Sequence, residues 1–140
     1  MRRALITMAL ALAAASSVAA QALDPVVDRL TASWSRGDAG GIVAFAASRG
    51  LSLDVAGQRV GPLPPRQAAA VLRKLFEVAE TVNTRVAMAK VTGGAPRRAF
   101  IEITWTTRVR GTTIPQRSTV FLGLVQEGER WRLTEIRHLQ

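Results

Sequence analysis

Three side chains in this sequence could do acid–base chemistry. Asp54 sits between Leu53 and Val55 in an alternating run, Leu51-Ser52-Leu53-Asp54-Val55. A carboxylate held in an apolar pocket has a raised pKa and can serve as a base. His138 is the chain's one histidine and could pair with Asp54 or with Asp38. Each has a plainer role as well. Asp38 follows Arg36-Gly37 and can cap a helix. Alternation can point Asp54 to solvent, and His138, two residues from the end, can be simply solvated. Without cysteine there is neither a thiol nucleophile nor a thiolate metal site. One histidine with no metal-ligand spacing suggests no zinc site, and nothing in the sequence calls for a cofactor.

Arginine is the other chemically loaded residue. Lys and Arg number 19 against 10 acids, a net charge of +9, and only Lys74 and Lys90 are lysines. Arg108, Arg110, Arg130 and Arg132 share one alternation parity within their strands. If those strands align, they form a basic band able to meet an anionic polymer, a lipid headgroup or an acidic partner. No run of like charge exceeds two residues, so no basic arm of the kind that binds nucleic acid is present, and no sequence-specific nucleic-acid partner is expected.

The elements that position these residues follow from periodicity. Residues 1–22 read as a secretory signal peptide: Arg2 and Arg3, an apolar stretch Ala4–Ala15 broken only by Thr7, then small residues to Ala20-Gln21-Ala22. Cleavage near Ala20 or Ala22 would send residues 23–140 to the periplasm or the exterior. No transmembrane segment is expected in that mature chain, a single domain of charge +7. Leu23, Val26, Val27, Leu30 and Trp34 form one stripe of a helix opened by Asp24-Pro25. A short second helix carries Ile42, Val43 and Phe45. Two short strands follow. A third helix begins near Pro65 and runs to about Glu80, burying Ala68, Leu72, Leu75 and Phe76. A strand over Thr81–Val91 places Val82, Val86 and Met88 on one side, with Met88 in the core. Ala99–Arg110, Arg117–Gln126 and Arg130–His138 complete the chain, the last two joined by a tight turn at Glu127-Gly128-Glu129. In Ala99–Arg110, Ile101, Ile103 and Trp105 form a core face. Phe100, Glu102, Thr104, Thr106 and Arg108 form an outer one, with Glu102 expected to pair across to Arg117. The order predicts an α+β fold.

Three short motifs in this order resemble the nuclear transport factor two-like superfamily, which includes SnoaL-like and ketosteroid-isomerase-like domains. They are Trp34-Ser35-Arg36-Gly37-Asp38 between the first two helices, Leu53-Asp54-Val55 after the Phe45 helix, and Gly128-Glu129-Arg130-Trp131-Arg132-Leu133-Thr134-Glu135-Ile136 at the close. The resemblance covers nearly all of residues 23–140. It implies three N-terminal helices packed on a curved, mainly antiparallel sheet, a cone with a pocket inside. Trp34, Phe45, Leu72, Phe76, Trp105 and Trp131 would line that pocket, although the spacing of the three tryptophans also fits plain core packing, the preferred reading for at least two of them; the outer sheet face would form a homodimer. Isomerase members use a carboxylate base, here Asp54 assisted by His138 or Asp38, and a tyrosine or acid as oxyanion donor. This chain has no tyrosine.

Three functions are compatible with these residues. The first is an exported, non-catalytic module that binds an apolar small molecule or a protein. The second is an acid–base enzyme using Asp54. The third is an anion-binding surface built on the sheet arginines.

Overall fold

The computed structural model describes residues 23–140; the expected signal peptide lies outside them. The order of elements is helix α1 (Leu23–Ser35), helix α2 (Ala39–Val43), strands β1 (Leu51–Val55) and β2 (Gln58–Leu63), helix α3 (Pro65–Val78), and strands β3 (Ala79–Thr92), β4 (Arg98–Val109), β5 (Pro115–Glu127) and β6 (Arg130–Leu139). This is an α+β fold whose six strands make one open sheet in the order β2-β1-β6-β5-β4-β3. All neighbours are antiparallel except β1 and β6, which run parallel.

The helices pack on one face. Leu23, Val27, Leu30 and Trp34 of α1 and Ala68, Ala69, Leu72 and Phe76 of α3 meet Ala99, Ile101, Ile103 and Trp105 of β4. Val120, Leu122 and Leu124 of β5 and Trp131, Leu133 and Ile136 of β6 complete the core. Period-two alternation in β4 puts the branched and aromatic side chains under the helices, as the sequence predicts. Asp38 caps α2, its carboxylate accepting from the Gly41 N–H at 2.9 Å.

β3 departs from the expected pattern. Its pairing with β4 shifts register between Thr81 and Asn83 and again between Val86 and Met88. Each bulge adds a residue and reverses the facing of the residues beyond it. Val82 is therefore exposed, Val86 stays on the core side, and Met88, expected in the core, is 43% exposed on the outer face. Helix α3 stops at Val78 rather than near Glu80 because the chain passes directly into β3. Glu102 lies opposite Phe121 and Met88, whereas Arg117 lies opposite Thr106, so the expected Glu102–Arg117 cross-strand pair does not form.

Candidate functional site

The acid–base candidates are held in three separate places. Asp38 is the α2 cap. Asp54 faces outward from β1, on the side of the sheet away from the helices. It lies 4.0 Å from Arg59 and 3.8 Å from Arg137, and both arginines also approach Glu135. Asp54 pairs in register with Arg137, so His138, the next residue, points to the opposite face. There it is 8% exposed, not solvated as expected from its place near the chain end. Its ring packs edge-on against Trp105, centroids 5.3 Å apart, and Nε2 is hydrogen-bonded to Ser118 Oγ at 2.9 Å. Burial lowers its pKa by penalising the charged form. No three metal-ligating side chains come together among the described residues.

The four arginines are also divided. Arg108 lies opposite Pro115 at one end of the sheet, whereas Arg130 and Arg132 lie opposite Glu127 and Val125 at the other, Val125 being paired in turn with Arg98. The ten residue steps along β4 from Arg98 to Arg108 span about 33 Å. Arg108 is 3.3 Å from Glu80, and Arg110 Nε donates to the Glu77 carbonyl at 2.8 Å. A single continuous band is not formed.

The six expected pocket residues fall into two groups. Trp34, Phe76 and Trp105 pack on one another edge-to-face, with centroids 5.1, 5.3 and 5.9 Å apart. Leu72 is buried in the same core. Trp105 Nε1 donates to Thr81 Oγ1 at 2.9 Å. These side chains fill the interior where a cavity was expected. Phe45 and Trp131 instead both line a surface groove of about 550 Å³ at the opposite end of α1.

Backbone pairing builds this groove. The Leu133 N–H donates to the Phe45 carbonyl, at 2.6 Å, and the Ala47 N–H donates to the Leu133 carbonyl at 2.8 Å. The chain after α2 is thereby stitched to β6, and Arg132 Nη1 adds a bond to the Ala44 carbonyl at 3.3 Å. The tight turn, with Gly128 at φ +62°, carries Glu129 and Arg130 to the rim. Pro25, Val26 and Arg29 from the start of α1 form the facing wall. Trp131 is buried at the base, and its indole N–H has no acceptor among the described residues. The sequence named Phe45, Trp131, Arg130 and Arg132 under two different headings, pocket and anion surface; the fold brings them together. Arg29 was missed, because helical periodicity marks it only as a wet-face residue.

Other surface hollows carry charged side chains that already have partners. One, of about 490 Å³, lies beside Ser48, Arg49 and Arg98. There Glu127 already accepts from the Ser48 N–H and hydroxyl, at 3.0 and 2.8 Å. Those bonds, the main-chain one foremost, hold the Glu127 pKa below the usual carboxylate value. Another, about 420 Å³ between Arg36, Arg73 and Arg110, includes Glu77 and Glu80.

No family model matches the chain, and no curated protein matches it in sequence. Solved structures do match its fold. A DUF4783 family protein from Bacteroides uniformis superposes with a TM-score of 0.67 at 10% identity, over 81% of this chain and 94% of that one. A hypothetical protein with a ketosteroid isomerase-like fold from Catenulispora acidiphila, in complex with trimethylamine, gives 0.64 at 16% identity, over 82% and 84%. A nuclear transport factor two-like protein of unknown function from Shewanella oneidensis gives 0.61 at 14%, over 85% and 97%. The chain has the nuclear transport factor two-like fold.

Proposed function

We propose that this protein is a non-catalytic small-molecule-binding module, exported after removal of residues 1–22, whose binding site is the groove between α1, the α2–β1 connection and the β5–β6 turn. The observation that carries this reading is the placement of Phe45 beside the buried Trp131 in a groove of about 550 Å³, within the size range of small-molecule sites. The packed interior supports it as well, since Trp34, Phe76 and Trp105 occupy the space a ligand would need inside. The trimethylamine complex of the Catenulispora acidiphila protein is consistent with a fold that carries a small ligand. Asp54, outside the helix-covered face and among Arg59 and Arg137, has no apolar site in which to act as a base.

A thermal-shift screen of apolar small molecules tests the reading. A ligand at one hundred times its Kd stabilises the folded state by about 2.7 kcal/mol. The expected outcome is a rise in Tm with at least one compound, lost in Phe45→Ala. A compound that shifts Phe45→Ala as much as the wild type would place its site elsewhere.

The partner expected for the other sheet face is a second copy of the chain. Met88, exposed, and Phe121 lie there on either side of Glu102, with the exposed Phe100 two residues before Glu102 on β4. Light scattering reads that association directly.

A further inference from the structure

We propose that the ligand of this groove is an aromatic carboxylate, its ring against Phe45 and Trp131 and its anionic group among Arg29, Arg130 and Arg132; this rests on the binding role proposed above. Three arginines and one acid, Glu129, line the groove. Among the described residues none of the three arginines is in an ion pair, whereas Arg59, Arg108 and Arg137 all are. The groove therefore carries a net positive charge beside an apolar base, Glu129 and the nearby Glu127, which feels the charge of Arg132, offsetting part of it. A guanidinium fork matches a carboxylate. Arg132 is already oriented by its bond to the Ala44 carbonyl, which lowers the ordering cost of a further contact.

The two rings set the body of the ligand. Phe45 is half-buried and supplies the accessible aromatic surface for a ring, while Trp131, 3% exposed, is part of the buried lining beside it. Aromatic side chains also attract cations. Here the arginines oppose that choice, so a small ammonium ion such as the trimethylamine held by the Catenulispora acidiphila protein is disfavoured.

Titration calorimetry of the purified chain with 2-naphthoate, 2-naphthamide and 2-naphthylmethylammonium, in low and high salt, tests the proposal. The expected order at low salt is naphthoate tightest, at least tenfold over the amide, and the ammonium weakest. High salt narrows the gap. The double variant Arg130→Gln/Arg132→Gln brings naphthoate down to the level of the amide while leaving the amide within twofold. A control of equal charge change, Arg66→Gln/Arg85→Gln, on exposed residues away from the groove, retains most of the preference. Equal binding of acid and amide, with both lost in Phe45→Ala, would overturn the carboxylate assignment and leave the groove standing. Binding of none of the three would remove the groove and the assignment together. A preference that falls equally in the two double variants would show net charge, not this site, at work.

Discussion

His138 makes the stability of this domain depend on pH in a window it holds almost alone. It is the chain's only histidine, and its burial against Trp105 and Ser118 lowers its pKa in the folded state. The unfolded chain therefore binds a proton at a pH where the folded one does not. Stability is complete above the unfolded value near 6.5 and falls as pH drops from there toward the folded value. The steepest possible slope for one proton is about 1.4 kcal/mol per pH unit. Carboxylates contribute mainly below this window. Urea unfolding at half-unit steps from pH 8 to 5 measures the slope, and His138→Gln, which keeps an amide able to bond Ser118, isolates its source. The wild type should lose stability between pH 6.5 and 5 while the variant stays nearly flat. A wild type as flat as the variant, or a variant that keeps the slope, would refute the reasoning.

Three further outcomes are expected from contacts in the fold. Thr81→Val removes the acceptor of the buried Trp105 indole N–H with little change in shape; it should cost about 1–3 kcal/mol in urea unfolding, and much less in a Trp105→Phe background. Glu127→Gln weakens the two bonds to Ser48, so amide exchange at Ser48 should quicken. Because the folded Glu127 pKa is lowered, its contribution is present above about pH 4.5 and lost as pH falls below it, a window separate from that of His138. Phe100→Glu puts a charge into the exposed outer face; the proposed association predicts a dimer for the wild type and a monomer for the variant in light scattering, and equal masses would remove the outer face as the interface.

Much of the fold was legible because periodicity is a local property. The α1 stripe from Leu23 to Trp34, the core face of Ile101, Ile103 and Trp105, and the turn at Gly128 each follow from side-chain spacing and backbone freedom within one element. Met88 was misplaced because a bulge is decided jointly by β3 and its partner, and the one between Val86 and Met88 puts those two side chains on opposite faces. His138 was misplaced because its burial depends on Ser118 and Trp105, twenty and thirty-three positions away in the sequence. The candidate site divides in the same way. Amino-acid type marked Phe45, Trp131, Arg130 and Arg132 as residues able to hold apolar or anionic groups. Whether they meet depended on the pairing of Leu133 with Phe45 and Ala47, which joins the chain after α2 to the last strand. Register likewise set Arg108 and Arg130 at opposite ends of the sheet and placed Asp54 among arginines on the sheet face away from the helices. Composition and spacing, which act within a few residues, settled which surfaces each element would bury and which chemistries were excluded. Which side chains share a site was settled by the folded arrangement alone, since long-range hydrogen bonding fixes the register and a shift of one residue exchanges the two faces of a strand.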